Sequence, residues 1–558
     1  MQSIRRRITM LCLTMLMLAA AIAVRLAYLI SVPNYQETAR QQGTYTIRTP
    51  TTYANLYDAN FQKLVNDTVQ QIAIINPTTE AVTAILPYVQ DKEAFYENLQ
   101  YGTPFSCVVT TNYVDCADIQ IFSVPIRTTE PQLAQHLIGY TRDGEGVTGL
   151  EADYNALLHS VSSQSSVTFT VNGSGGVLAG EQTLIHTGQS ISLGVVTTLH
   201  KEVQQICETV GKSCGLEKGC IVVLDAQNGE ILALCSFPSY TVSTLGEALE
   251  SPDSPLINRA LYAYPVGSIF KLVPAACALS QNLSQFSYTC TGSISIYDQV
   301  FHCHDRNGHG KQDLQAAMIH SCNPYFIALS QKLSAATLFQ TAEKLGYGTE
   351  IPLTDSISAD GGILPTLQDL KISAEKANFC FGQGMLTASP LQVARMTCAI
   401  ANGGTLPQPR LIRGITKDGV SLVTEPETTA TPALSPNTAT ALQELMIAAA
   451  YGSDTFQGVP DGITVGAKTS TAQTGRYDEN GVEYCHGWIT GFFPASKPRY
   501  VVTVLAEDGG YGNDAAAPIF REVIEQIVQQ KALPLSGRLC HKAFTKTEWI
   551  PLASFHIL

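Results

Sequence analysis

The sequence predicts an α+β protein in which an antiparallel sheet with helices follows a β-rich first half and one N-terminal membrane helix. Three observations carry this. In the second half, alternating β runs stand at both ends and long helical stretches lie between them. The first half is rich in Thr, Asn, Gln, Val and Tyr and breaks into short alternating runs. The chain opens with three arginines and a long apolar run.

The N-terminal element reads as an anchor. Arg5, Arg6 and Arg7 precede Ile8 to Val24, which carries no charge, and Arg25 is followed by apolar residues to Ile30. A run of about 20 apolar residues crosses a bilayer as a helix, and Arg25 reaches the interface through its apolar stem. Positive charge stays cytoplasmic, so residues 1–7 are placed inside, 8–30 in the membrane and the bulk of the chain outside. The rival reading is a cleaved signal peptide at Ala21-Ile22-Ala23. Its apolar core is normally shorter, about 7–15 residues.

Residues 31–190 form the β-rich, loop-rich module. "TYTIRTP" and "QQIAIINP" alternate as strands, and "VTFTVNGSGGVLAG" is two short runs around an Asn172-Gly173 turn. The pattern changes near Leu193, and residues 191–535 make the second domain. "TTLHKEVQQICETVGK" has helical spacing, and "GCIVVLDAQNGEILALCSF" is a hairpin around Asn228-Gly229. Helices are expected at 268–280, 313–332, 389–402, 435–451 and about 515–530, and strands at 487–493 and 499–507. The tail, 536–558, has no clear pattern.

With 558 residues, 45% of them apolar and 15% charged, the chain is globular and holds more than one core. A net charge of −13 argues against a nucleic-acid partner, which needs a basic footprint. The fifteen cysteines cannot all pair within one chain. Cys290 with Cys303, and Cys107 with Cys116, are near enough for local disulfides, whereas a reducing habitat leaves thiols. "FHCHDRNGHG" gathers His302, Cys303, His304 and His309, and with Cys290 these make a candidate zinc set. Their spacing matches no zinc module, so no metal ligand is assigned.

The chemistry centres on "YPVGSIFKLVPA". Positions i and i+3 share a helix face, so Ser268 and Lys271 can touch. Pro265-Val266-Gly267 leads into a helix start, where free N–H groups favour an oxyanion and a lysine of lowered pKa. Such a lysine takes a serine's proton. The bland alternative is a helix cap with a solvated lysine. "HSCNPYF" adds Ser321 and Asn323, either helix caps or a proton relay with an amide donor. "VGAKTSTAQTG" adds Lys468, Thr469 and Ser470 on a strand, either a polar edge or a carboxylate site.

Ser-x-x-Lys, Ser-x-Asn and Lys-Thr-x in this order resemble the penicillin-binding proteins and serine β-lactamases. "NRALYAYPVGSIFK", "GHGKQDLQAAMIHSCNPYF", "GQGMLTASPLQVARMTCAIANGG" and "HGWITGFFPASKPRYVVTVLAEDGG" are similar to the class B penicillin-binding proteins, the monofunctional D,D-transpeptidases of cell-wall synthesis. "IGYTRDGEGVTGLEADYNALL" is similar to that family's pedestal signature. The resemblance implies a transpeptidase domain over 191–535 and a pedestal, or dimerisation-type, domain over 31–190. It implies that Ser268 attacks the D-alanyl-D-alanine carbonyl of a peptidoglycan stem peptide, with Lys271 as base and Ser321 as proton relay. Asn323 holds the stem amide, and Lys468 and Thr469 bind the terminal carboxylate. The N–H groups of Ser268 and Thr471 form the oxyanion hole, worth about 3–4 kcal/mol per donor. β-Lactams acylate the same serine. No metal or organic cofactor is needed. The implied partner is a lipid-linked glycosyltransferase in the membrane.

Two positions depart from the family pattern. The third motif usually ends in glycine and here ends in Ser470, which either narrows the cleft or adds a hydrogen bond. The pedestal segment "YDRNG" reads "YDANF", with Ala59 and Phe61 in place of arginine and glycine. The alternative functions are a β-lactam hydrolase or sensor of the same fold, and a non-enzymatic scaffold. The hydrolase needs a water-positioning glutamate loop for which no convincing candidate is visible. The scaffold sits poorly with the intact Ser268, Lys271, Ser321, Asn323 and Lys468.

Overall fold

The computed structural model describes residues 2–31, 43–180, 183–423 and 428–534. The tail at 536–558 lies outside the described residues. Helix α1 (Gln2–Ser31) is continuous and has no buried residue, with a mean hydropathy of 2.2 over its most apolar 18 residues. At about 1.5 Å per residue it exceeds the thickness of a bilayer core. Among the described residues it is the one helix long and apolar enough to cross a membrane, as a single-pass protein requires.

The chain beyond it forms two compact units that interleave in sequence. The first holds 66–127 and 159–191 with the residues before 55; the second holds 55–65, 128–158 and everything from 192. The division therefore does not run simply as 31–190 and 191–535: the "YDANF" segment and the "IGYTRDGEG" signature belong to the second unit.

The first unit is built on strand Thr68–Ile75, which pairs with Phe105–Val109 on one side and Ile119–Ile126 on the other. Alternation puts Ala73 and Ile75 on one face, against Ile85, Phe95 and Phe105. It puts Ile72 and Ile74 on the other, against Phe122, Val124, Val167 and Phe169. A sheet buried on both faces accounts for the apolar run "IAII". Cys107 and Cys116, near enough in sequence for a disulfide, are both free thiols, as are all the described cysteines.

The second unit carries a five-stranded antiparallel sheet: β1 (Gly219–Asp225), β2 (Ile231–Phe237), β3 (Gly466–Tyr477), β4 (Glu483–Phe493) and β5 (Tyr500–Ala506), in the order β2-β1-β5-β4-β3. The expected hairpin and C-terminal strands are thus present, and β3 lies at an edge. One face packs on α2 (Lys201–Ser213) and the C-terminal helix Ala517–Gln529 through Val203, Cys207, Phe520 and Ile524. The other face packs on Pro390–Ala401, a helix buried at every position. A capping box of Ser389 and Gln392, with proline in the first turn, starts that helix. This three-layer core holds β3 rigidly beside the helices that bear the remaining motifs.

In the "YDANF" segment, Asp58 Oδ1 accepts the N–H groups of Asn60 and Gln62, closing a tight turn. Phe61 sits there with φ of 62°, the left-handed region that glycine adopts freely and a bulky side chain does not. The Ala59 carbonyl accepts from the Arg413 guanidinium, which also pairs with buried Glu230. The turn forms here with neither family residue.

Candidate active site

The nucleophile turn, Gly267–Lys271, is a 3₁₀ helix that runs on into α3 (Leu272–Ser280). An α-helical start at 268 is the sequence expectation; the tighter winding matters because 3₁₀ positions i and i+3 eclipse. Lys271 therefore rises from the same line as Ser268. Ser268 is half-buried and Lys271 completely buried.

The Lys271 ammonium nitrogen is turned to the second motif. It donates to the Ser321 carbonyl at 2.6 Å, to Ser321 Oγ at 3.0 Å and to Asn323 Oδ1 at 2.7 Å. No hydrogen bond from Ser268 Oγ is formed among the described residues, and Lys271 Nζ is bonded to Ser321 and Asn323 instead. Burial, reinforced by the charge of Lys468, pushes Lys271 well below the ordinary lysine value. Three acceptors around Nζ favour the ammonium, but the loss of all hydration opposes it more strongly.

A single helix is expected over 313–332. The structure breaks it into α4 (Leu314–Ile319) and α5 (Asn323–Ser330), because Ser321 takes φ of 49° and Pro324 stands in the first turn of α5. A left-handed serine costs about 1–2 kcal/mol. In return, both oxygens of Ser321 face Lys271. Asn323 Nδ2 donates to the His302 carbonyl at 3.3 Å.

The third motif lies on β3, where alternation separates its residues. Lys468, Ser470 and Ala472 are buried on one face; Thr469 and Thr471 are half-buried on the other. Lys468 Nζ donates to Ser321 Oγ at 3.3 Å and to the Thr469 carbonyl at 3.1 Å. Burial lowers Lys468 to about 8. Ser321 Oγ is thus the junction of two lysines, one from the 3₁₀ turn 267–271 and one from β3. Thr471 Oγ1 accepts the Gly512 N–H. Ser470, expected as a substrate-binding residue, points away from Thr469: its hydroxyl donates to the Val266 carbonyl at 2.8 Å. A cavity of about 290 Å³ opens on Ser321, Lys468 and Thr469.

A second cluster abuts these groups. Ligand atoms of Cys290, Cys303, His309 and Cys322 all lie within 4.8 Å of one another. Three thiols and an imidazole are a tetrahedral zinc set. Of the residues weighed from the sequence, Cys290, Cys303 and His309 belong to it. His302 and His304 do not, and Cys290 and Cys303 are not disulfide-bonded. A hydrogen bond from the Cys322 thiol lowers Cys303 and raises Cys322 itself. Cys322 was overlooked because it stands as the variable residue of Ser-x-Asn; a thiol at that position, in a chain with three nearby candidate ligands, is the signal that was there to read.

Comparison with known proteins gives the family. The pattern described as "Penicillin binding protein transpeptidase domain" matches residues 219–525. This chain belongs to the class B penicillin-binding proteins. The transpeptidase is 30% identical over 434 residues to a peptidoglycan D,D-transpeptidase, PbpA, of Mycolicibacterium smegmatis, covering 72% of this chain and 83% of that one. It is 29% identical over 446 residues to the stage V sporulation protein D of Bacillus subtilis, covering 75% and 66%. The fold is shared with penicillin-binding protein A of M. tuberculosis in its ceftriaxone acyl-enzyme complex, with a TM-score of 0.60 and 24% identity over 73% of this chain and 93% of that one. It is shared too with PBP2 of Helicobacter pylori, with a TM-score of 0.64 and 22% identity over 88% and 100%.

Proposed function

We propose that this transpeptidase cross-links peptidoglycan stem peptides through an acyl-enzyme on Ser268 and is acylated there by penicillins. The observation that carries the reading is the convergence of Lys271 and Lys468 on Ser321 Oγ, two residues from Asn323 and beside the Ser268 turn. Lys271, neutral through burial, takes the Ser268 proton as Oγ attacks the penultimate D-alanine carbonyl. Backbone N–H groups of Ser268 and Thr471 hold the oxyanion. Ser321 passes the proton to the leaving D-alanine, and the same path returns it when an amine of a second stem attacks. Asn323 holds the stem amide, while Lys468 and Thr469 hold the terminal carboxylate. The test is mass spectrometry after penicillin treatment. A covalent adduct is expected on the peptide bearing Ser268 and absent from Ser268→Ala; an adduct elsewhere, or steady hydrolysis of the drug, overturns the reading.

The lysine environments set a pH dependence. The acylation constant k2 rises with pH as Lys271 loses its proton, and reaches its plateau below the ordinary lysine range. Binding depends on protonated Lys468 and weakens as pH passes about 8. Stopped-flow measurement of k2/Kd with a fluorescent penicillin should therefore fall on the alkaline side; a ratio still climbing well beyond that point contradicts these roles.

The same proposal assigns the catalytic domain to residues 191–535 and the pedestal to 31–190, with 55–65 and 128–158 grouped with the catalytic residues, and sets the N-terminus in the cytoplasm and the catalytic part outside. Arg5, Arg6 and Arg7 ahead of α1 support the orientation. The expected partner is a lipid-linked glycosyltransferase. PBP2 of H. pylori, which shares this fold, has been solved in complex with MreC. Finally, Cys290, Cys303, His309 and Cys322 are proposed to hold one zinc ion.

A further inference from the structure

Ser470 stands where the family pattern has glycine, and the structure gives its hydroxyl a definite task. It is buried, 3% exposed, and directed toward the turn ahead of the nucleophile. Its hydroxyl donates to the Val266 carbonyl at 2.8 Å. The N–H of that same peptide unit, on Gly267, donates to the Gly382 carbonyl at 2.9 Å. One peptide plane is therefore fixed at both ends, and the next peptide along carries the Ser268 N–H. The preceding carbonyl, Pro265, accepts from the Trp488 indole at 3.1 Å, and Trp488 is the cross-strand partner of Ser470.

Gly267 is matched to this arrangement. It holds φ of 62°, and a Cβ built on it meets Ser470 Oγ at 2.4 Å. The absent side chain at 267 leaves the space that the Ser470 side chain fills. A glycine at 470 would leave that space unfilled and the Val266 carbonyl without this donor. The added hydroxymethyl is taken up by this contact: it is buried against the Val266 carbonyl, on the face of β3 opposite Thr469 and Thr471.

We propose that Ser470 is a positioning residue for acylation. Its hydroxyl fixes the Val266–Gly267 peptide and, through it, the direction of the Ser268 Oγ and N–H, without touching substrate. The proposal rests on Ser268 being the nucleophile. A fixed peptide matters to k2, because a nucleophile and an oxyanion donor that wander must be reordered in the transition state. It matters little to Kd, because the Ser470 hydroxyl bonds the Val266 carbonyl and none of the groups assigned to grip substrate, Asn323, Lys468 and Thr469.

The test is acylation by a fluorescent penicillin with k2 and Kd resolved separately, on the full-length protein in detergent. Ser470→Ala removes the donor, and Ser470→Cys keeps nearly the same volume with a much weaker one. Each is expected to lower k2 about fivefold, the worth of one buried hydrogen bond, with Kd within twofold of wild type. Ser470→Thr, which keeps the hydroxyl, is expected to retain most of k2 wherever it folds. If Ser470→Ala does not fold, Ser470→Cys carries the measurement. Unchanged k2 in the folded variants, or a loss that appears in Kd alone, overturns the proposal. Absence of labelling in the wild type and in Ser268→Ala alike would instead overturn the assignment of the nucleophile.

Discussion

Lys271→Ala is expected to slow acylation of Ser268 by about 10³-fold, within the 10²–10⁴ range of a general base removed. Lys271 is the base that the geometry offers: it is fully buried and one 3₁₀ turn from the serine. Lys468, the other amine near Ser321, stands on strand β3 and not on the turn that carries Ser268. The substitution also strips hydrogen bonds from the Ser321 carbonyl and Asn323 Oδ1, which leaves buried acceptors unsatisfied at about 1–3 kcal/mol each. Against that, it removes a buried amine whose charged form is disfavoured, so the net effect on stability is expected to be small. Thermal melting alongside stopped-flow labelling separates the two. A melting temperature near that of wild type with labelling slowed a thousandfold supports the base; labelling within tenfold of wild type in a folded variant overturns it. Lys271→Arg should be nearly as slow, because a guanidinium stays protonated.

How much of this was legible in the sequence depended on the range of the signal. The hairpin at Asn228-Gly229, the apolar anchor and the helix beginning at Ser389 are local patterns, and each lies close to where the periodicity puts it. The three motifs were legible as short strings whose order resembled one family. Their meeting at Ser321 Oγ was not, since it joins residues 50 and 147 positions apart. The break in the 313–332 helix was hidden because its apolar periodicity resumes after the break, and only the Pro324 ring hinted at it. Interleaving of the two units was hidden for a similar reason: the short strand Asn55–Tyr57 reads as one more β run, yet it pairs in parallel with Gly194–Val196. Ser470 shows the limit most clearly. Strand alternation alone would have put it on the face of Lys468, but which of those two faces lies toward the nucleophile turn is a tertiary fact.

The zinc proposed at Cys290, Cys303, His309 and Cys322 carries the other large expected effect. Thiolates and imidazole are borderline-soft ligands, suited to zinc and not to magnesium or calcium. The ligands come from separate pieces of chain: Cys290 ends a short strand, Cys303 follows the hairpin 293–302, and Cys322 caps α5 between Ser321 and Asn323. One ion would therefore tie the hairpin to the second motif. A ligand at 1,000 times its dissociation constant stabilises by about 4 kcal/mol, so a strong chelator is expected to lower the melting temperature of a unit this large by roughly 5 °C. Because Cys322 is flanked by both residues that hold Lys271, k2 should fall with it, and added zinc should restore both. Elemental analysis of the protein purified under reducing conditions should give about one zinc per chain, lost in Cys322→Ser. The free thiols bear on the same point. Zinc holds thiolates close together without oxidising them, whereas an empty cluster in an oxidising compartment would be open to a Cys290–Cys303 disulfide. Protein that carries no zinc, or that melts and labels identically with and without chelator, would show that the four side chains are packed together for stability alone.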